Sequence, residues 1–125
     1  MTENELSKKI IGAAIEVHRH LGSGLLESAY EEALCYELDL REIPYDRQKY
    51  QALHYKGKTL KTDYRIDLLV DAKVMVELKV RDTVSRIDKA QTLTYLRLSE
   101  TKLALIINFH EPLLKDGITR IVNNL

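Results

Sequence analysis

Two acidic residues and a lysine interrupt an otherwise apolar stretch in the middle of the chain. They are Asp67, Glu77 and Lys79, in the sequence YRIDLLVDAKVMVELKV. The apolar runs 66–70 and 74–80 are typical of two neighbouring β-strands joined by a tight loop. Because side chains alternate along a strand, Glu77 and Lys79 are expected to project from the same face. Whether Asp67 joins them depends on how the two strands pair.

The apolar residues of the two strands predict that pairing. If both apolar faces lie on one side of the sheet, the loop contains three residues, Asp71 to Lys73, since a two-residue loop would turn one apolar set to the other face. This register sets Asp67 directly opposite Glu77, where the Cβ atoms of cross-strand neighbours lie roughly 4.5–5.5 Å apart. The pairs it predicts are Val70 with Val74, Leu68 with Val76, and Ile66 with Leu78.

Two carboxylates this close repel one another unless a proton or a cation compensates them. Mg²⁺ is typically held by one or two carboxylates, backbone carbonyl oxygens and water, and the carbonyl of Leu78 is placed to contribute. A metal held by Asp67 and Glu77 would activate water and stabilise negative charge on a phosphate. Lys79 would orient or deprotonate that water, or stabilise the transition state. The alternative is that Glu77 and Lys79 form a solvated strand face and pair with their neighbours.

Length and composition indicate one globular domain, residues 1–125, which is long enough to bury a core. The sequence has no run of about 18 apolar residues, so we expect no membrane span. Its acidic N-terminus does not resemble a secretory signal. The only cysteine, Cys35, lies among apolar residues, which favours packing over nucleophilic chemistry. Such cysteine usage is typical of a reducing compartment, and we expect a cytoplasmic protein.

The net charge is zero, which argues against a strong overall field for nucleic acid. The charge is uneven, however, because residues 1–40 are acidic and residues 41–61 are basic. A basic segment with interleaved aromatic residues could approach a phosphate backbone. Its lysines could equally protect the edge strand of a sheet, and the sequence favours that interpretation. The residues concerned are Arg41, Arg47, Lys49, Lys56, Lys58 and Lys61, with Tyr45, Tyr50 and Tyr55 between them.

The remaining patterns predict the elements that position these residues. Helical spacing of apolar residues predicts helices over 3–21 and 26–41, separated by a glycine-rich break in which Gly24 could adopt a left-handed conformation. Ser85 and Asp88 have the spacing of a capping box that opens a third helix, ending near Ser99. The strand at 103–109 is nearly all apolar, so sheet is expected on both sides of it. The other predicted strands are 46–55, 66–70, 74–80 and 118–122.

Several motifs in order resemble a known family. Glu16–His18 and Leu21–Tyr30 resemble the signature of the GxxExxY proteins, which are small members of the PD-(D/E)XK nuclease superfamily. The likeness covers nearly the whole chain, and the set is also similar to the wider RecB-type nuclease pattern. One departure is that Ile66 stands where the superfamily's name has proline. The likeness continues through Asp67, Glu77–Lys79, Gln91 with Tyr95, and Ile106–Phe109.

The resemblance implies an α/β (α+β) fold with a restriction-endonuclease-like αβββαβ core, in which helices flank a mixed central sheet and the metal site lies at the sheet's edge. Asp67 and Glu77 would ligate Mg²⁺ or Mn²⁺, and Lys79 would serve the attacking water. Glu27 would be the helical acid that helps hold a metal, its water or the lysine. Read without the family, Glu27 is an acid in a first helical turn that favours the helix dipole.

The resemblance assigns further residues to the site. Gln91 and Tyr95 lie one helical turn apart and would border the site, touching substrate phosphate or orienting Lys79. Read alone, they are a helix-start amide and a half-buried tyrosine. His18 precedes the helical acid, as a metal-ligating histidine does in some RecB-type nucleases, but a hydrogen-bonded core histidine is the simpler interpretation. Asn108, at the end of a buried strand, is expected to satisfy backbone groups.

Two functions remain open at this stage. The first is a metal-dependent nuclease that hydrolyses phosphodiester bonds with metal-activated water, acting on DNA in preference to RNA. The second is a non-catalytic nucleic-acid-binding or assembly module that keeps the nuclease fold, since a fold does not imply a function. Small size and zero net charge favour the module, whereas the retained set of site residues favours the nuclease. A homodimer or a partner protein would supply substrate affinity in the second case.

Overall fold

The computed structural model describes residues 1–125. It contains three α-helices, five β-strands and one short 3₁₀ turn at Leu114–Gly117. None of the helices is both long enough and apolar enough to cross a membrane. In chain order the helices and strands are α1 Glu3–Leu21, α2 Glu27–Leu40, β1 Tyr45–Tyr55, β2 Lys58–Val70, β3 Val74–Lys79, α3 Arg86–Ser99, β4 Leu103–Asn108 and β5 Ile118–Val122.

The five strands form one mixed sheet in the order β1-β2-β3-β4-β5. Neighbouring strands are antiparallel except β3 and β4, which run parallel because α3 carries the chain back between them. Strand β4 therefore lies inside the sheet, and all of its residues are buried. This arrangement confirms the prediction of sheet on both sides of this strand.

Helices cover both faces of the sheet. On one face, α1 and α2 pack over the larger core cluster, to which Leu68, Val76 and Leu105 belong. On the other face, Leu96 of α3 packs into a smaller cluster that includes Met75 of β3. The structure is therefore the mixed α+β fold that was predicted, with a central sheet between helical layers.

The predicted helices agree closely with the observed ones. Helix α1 has the predicted bounds, and α3 opens with the predicted capping box between Ser85 and Asp88. The break after α1 differs in detail, because Gly22 and not Gly24 adopts the left-handed conformation, with φ 74°. The N–H of Gly22 donates to the carbonyl of His18 and so ends the helix.

The predicted register of β2 and β3 is confirmed at Leu68 with Val76 and at Val70 with Val74. The predicted pair of Ile66 with Leu78 is wrong, since the ladder ends at Leu68 and Val76. Ile66 packs in the smaller cluster on the α3 side and does not join Leu68. At this point the Asp67 carboxylate takes the N–H of Leu78, and Gln48 of β1, with φ 53°, lies opposite Asp67 where the pairing of β1 with β2 is interrupted.

Strand β2 is much longer than the apolar pattern predicted, because it begins at Lys58 and not at Ile66. Its first residues are mostly exposed and polar, so they leave no apolar alternation in the sequence. Residues 49–66 of β1 and β2, with the turn between them, form a two-stranded extension that we call the β1–β2 arm. Only the last part of β2 contacts β3.

Candidate active site

Asp67 lies at the point where β2 and β3 separate. Its side chain is buried, and its Oδ2 accepts a hydrogen bond of 2.9 Å from the backbone N–H of Leu78. The carboxylate thus takes the place of a backbone carbonyl where the ladder between the strands has ended. This contact fixes Asp67 against β3, beside Glu77.

Glu77 is half-buried and lies two residues after Met75, so it projects toward the α3 side of the sheet. The pKa of Glu77 is raised to about 8, mainly by burial and next by the negative charge of Asp67. The Lys79 ammonium opposes this shift. Glu77 forms no ion pair. The two carboxyl groups therefore interact, and without a cation the pair retains a proton at neutral pH.

The raised pKa of Glu77 has a measurable consequence for stability. The unfolded chain loses this proton near pH 4.5 and the folded protein near pH 8. The free energy of unfolding of the metal-free protein should therefore fall as pH rises between these values, with a slope of up to about 1.4 kcal/mol per pH unit. Urea unfolding in EDTA across this range measures it. Glu77→Gln should flatten the profile, and equal slopes in both proteins would contradict the assignment.

Lys79 follows Glu77 by two residues on β3 and shares its face. Its ammonium forms no ion pair. The charge of Lys79 nevertheless lowers the pKa values of Asp67, Glu77 and Glu27, so the ammonium lies near all three acids. Its backbone carbonyl accepts from the N–H of Phe109 at 2.9 Å, which ties this end of β3 to β4. The site thus contains an unpaired cation on a rigid strand.

Glu27 is the first residue of α2 and approaches the carboxylate pair from the helical layer. The pKa of Glu27 is raised, mainly by burial and next by the negative charge of Asp67, while the charge of Lys79 opposes the shift. No group of three or more His, Cys, Asp or Glu side chains lies close enough to hold a metal ion. Glu27 is therefore a neighbour of the pair, and its part in holding a metal remains a prediction.

Tyr30 holds the loop that precedes Glu27. Its hydroxyl donates to the carbonyl of Gly22 at 2.5 Å and accepts from the N–H groups of Gly24 at 3.0 Å and Leu25 at 3.1 Å. Its ring is fully buried and stacks on Phe109, with centroids 4.5 Å apart. The tyrosine thus fixes the start of α2, and with it Glu27, relative to the end of β4.

Tyr30→Phe should keep the stacked ring but leave the loop N–H groups without their acceptor. We expect the free energy of unfolding to fall by about 1–3 kcal/mol. Urea unfolding measures this loss. The matched control is Tyr36→Phe, because Tyr36 lies on the same helix and is 64% exposed. An equal, small effect of both substitutions would show that the hydroxyl does not hold the loop.

A second polar cluster, which the sequence did not point to, lies next to Asp67. Glu31 is buried on α2 and accepts hydrogen bonds from Arg47 Nε at 2.7 Å and from Gln48 Nε2 at 2.5 Å. Its negative charge raises the pKa of Asp67, after the larger effect of burial. The one feature of the sequence that could have indicated this cluster was the position of Glu31, one helical turn after Glu27. The cluster fixes the irregular part of β1 opposite Asp67.

Gln91 and Tyr95 share a face of α3, as their spacing predicted, since Gln91 Nε2 donates to the Tyr95 hydroxyl at 2.9 Å. The Tyr95 ring stacks on Tyr64 of β2, with centroids 3.8 Å apart and planes 7° apart. Glu77 lies close enough to Tyr64 for its charge to raise the pKa of that phenol, after the larger effect of burial. Gln91 and Tyr95 thus adjoin the carboxylate pair through Tyr64.

His18 is buried, and its Nε2 lies 2.8 Å from the backbone carbonyl of Glu111, to which it donates. His18 is therefore a hydrogen-bonded core histidine, which is the interpretation that the sequence favoured. Asn108 satisfies backbone groups as expected, since its side chain bonds both the N–H and the carbonyl of Arg81. Cys35 is buried and free, in agreement with a packing role.

The residues at this site fit a divalent cation. Asp67 and Glu77 place two oxygen-bearing groups together in a partly desolvated position, where the N–H of Leu78 and the charge of Lys79 compensate them only in part. A hard cation prefers such ligands and would replace that proton. The backbone of Leu78 meets the site through its N–H, which binds Asp67. Its carbonyl remains a predicted ligand.

Comparison with known proteins gives a family assignment. The family model described as the PD-(D/E)XK nuclease superfamily matches residues 4–121, which is nearly the whole chain. No curated protein matches the sequence. The solved structure of SSO0001 is 16% identical, with 96% of this chain and 79% of that chain covered and a TM-score of 0.43. A likeness of that size supports no conclusion about function.

Proposed function

The chain belongs to the PD-(D/E)XK nuclease superfamily, and we propose that it hydrolyses phosphodiester bonds of nucleic acid at the site built around Asp67 and Glu77. The observation that carries this proposal is that Asp67, held against β3 by its 2.9 Å hydrogen bond from the N–H of Leu78, lies beside Glu77 and the unpaired ammonium of Lys79. A buried acid with a purely structural role normally forms an ion pair. Glu77 forms none, and burial together with the Asp67 charge raises its pKa to about 8. Such a cost is expected at a functional site.

Each residue has a defined part in this proposal. Asp67 and Glu77 would hold Mg²⁺ or Mn²⁺, assisted by the Leu78 carbonyl. The bound cation would supply Lewis-acid stabilisation of the phosphate and a more acidic water. Lys79 would orient the attacking water or stabilise the charge that develops on the phosphate during in-line attack. Glu27 would help to hold the metal, its water or Lys79.

The other predicted site residues have supporting parts. Gln91 and Tyr95 would touch substrate phosphate or keep Lys79 in place, since Tyr95 stacks on Tyr64 next to Glu77. His18 would hold the end of α1 through its bond to Glu111, and a ligand role would require that bond to break.

Within the superfamily, we place the chain among the GxxExxY proteins with a RecB-type motif set. Support comes from the run Gly24–Tyr30, whose tyrosine positions the loop before Glu27. DNA is the proposed substrate in preference to RNA. We propose a reducing compartment, the cytoplasm, because the sole cysteine is buried and free.

The direct test is a cleavage assay in Mn²⁺ and in Mg²⁺ on single-stranded, double-stranded and branched DNA and on RNA. We expect product only when the cation is present, and none in EDTA. The competing proposal is a non-catalytic module that binds nucleic acid or assembles with itself or a partner, and it draws on the absence of a compact three-residue metal cluster. If no substrate is cleaved and the cation does not change the melting temperature, the result would favour that module.

A further inference from the structure

The β1–β2 arm extends away from the rest of the sheet. The pairing of β2 with β3 covers only Leu68 to Val70, so the earlier part of β2 pairs with β1 alone. One face of the arm rests on α3, where Leu53 and Tyr64 pack against the smaller core cluster. Because Tyr64 points toward α3, its neighbours Asp63 and Arg65 point to the opposite, exposed face.

The arm carries a concentration of cations without partners. Four of its basic residues are exposed and form no ion pair. The acidic residue within the arm is Asp63. A zero net charge for the whole chain therefore conceals a local positive field. The four cations are Lys56, Lys58, Lys61 and Arg65.

Protection of an edge strand accounts for these positions only in part, because the first half of β2 pairs with β1 alone and has an open edge of its own, whereas Lys56 lies in the turn. The outer strand of the sheet is β1, and in the arm its basic residue is Lys49, which pairs with Asp46 at 3.7 Å. The unpaired cations lie at the turn and along β2, where Lys61 and Arg65 share the face opposite α3 and Lys58 lies on the other face, near the turn. That distribution leads toward the site, since Arg65 precedes Asp67 by two residues on the same strand.

The exposed aromatic residues of the arm add a second kind of contact. Tyr50 is 65% exposed and Tyr55 is 60% exposed. Lys56 lies over the ring of Tyr55, with its Nζ 5.4 Å from the centroid. Cations interleaved with exposed aromatic rings are the combination that binds phosphates and stacks on unpaired bases.

We propose that the β1–β2 arm binds the sugar-phosphate backbone of the nucleic-acid strand that enters the Asp67–Glu77 site. This inference rests on the proposed function and adds the surface that supplies substrate affinity. The stretch from Lys58 to Arg65 is about 23 Å long at roughly 3.3 Å per residue. That length equals the axial rise of roughly seven base pairs of B-form duplex, at about 3.4 Å each.

Binding in EDTA, where no cleavage occurs, tests the arm separately from catalysis. The variant replaces the three lysines far from the carboxylates, Lys56→Gln, Lys58→Gln and Lys61→Gln, and leaves Arg65 in place. Fluorescence anisotropy with labelled single-stranded and duplex oligonucleotides should show a Kd at least about tenfold higher at 0.1 M salt. The slope of log K against log salt should fall by about two on a single strand. An unchanged melting temperature would show that the variant folds.

The charge-matched control removes exposed lysines outside the arm, with Lys8→Gln, Lys9→Gln and Lys115→Gln, and should bind as the wild type does. Equal Kd values and salt slopes for the arm variant and this control would overturn the arm proposal, even if the wild type cleaves DNA. Arm-dependent binding without any cleavage would sustain the arm and reject the nuclease. Arm-dependent binding of polyglutamate, with no nucleic-acid binding, would overturn it in favour of an acidic protein partner.

Discussion

Replacing Glu77 with glutamine should lower kcat/KM for cleavage by at least about 10³-fold, because the neutral amide removes half of the charge that holds the cation. The same change should leave the metal-free protein folded at pH 7. Glutamine has the shape of glutamic acid, and burial together with the Asp67 charge already raises the pKa of Glu77 to about 8, so this side chain is largely uncharged there. Loss of activity would thus arise from loss of a ligand.

Thermal unfolding in Mn²⁺ separates ligand loss from misfolding. A cation that binds only the folded protein should stabilise the wild type by about 2.7 kcal/mol at a hundredfold excess over Kd, and Glu77→Gln should show no such shift. The control is Glu32→Gln, an exposed glutamate of α2 that forms no ion pair. Wild-type cleavage by Glu77→Gln would remove this residue from the site.

Lys79→Ala should lower the rate of cleavage by about 10²- to 10⁴-fold and change the melting temperature little. The ammonium forms no ion pair that the folded state would lose. The variant should still melt at a higher temperature in Mn²⁺, since Asp67 and Glu77 remain. Single-turnover cleavage and thermal unfolding on the same samples measure both properties.

Two further variants make the lysine experiment specific. Lys79→Arg keeps the charge and should recover part of the activity, whereas Lys102→Ala removes an exposed lysine elsewhere and should change neither property. Full activity in Lys79→Ala would exclude the ammonium from the mechanism. The contrast between Glu77, which affects cation binding and cleavage, and Lys79, which affects cleavage alone, distinguishes a ligand from a group that acts on water or phosphate.

The parts of the fold that the sequence predicted well are those whose apolar residues follow one period. Helix α1 has the predicted bounds because its buried residues recur at helical spacing. The three-residue loop between β2 and β3 follows from matching two apolar strand faces, and Val70 pairs with Val74 as predicted. In both cases burial on one face leaves the chain a single suitable arrangement.

The features that the sequence did not predict depend on contacts between distant segments. Ile66 changes sides where β2 is irregular, next to Asp67 and close to Gln48 of β1, which has a positive φ eighteen residues earlier in the chain. Glu31 matters because Arg47 and Gln48 fold back onto it. The first half of β2 is exposed and polar, so it follows no apolar period. Of these three features only Glu31 had a local signal, its spacing of one helical turn from Glu27.

The most direct test of the central claim is a crystal of the wild-type protein soaked in Mn²⁺ and measured at a wavelength where manganese scatters anomalously. If Asp67 and Glu77 converge to hold a divalent cation, an anomalous peak should lie between their two carboxyl groups and disappear in Glu77→Gln. Carboxyl groups on opposite surfaces of the sheet, or an empty position between them while manganese binds elsewhere, would contradict the claim.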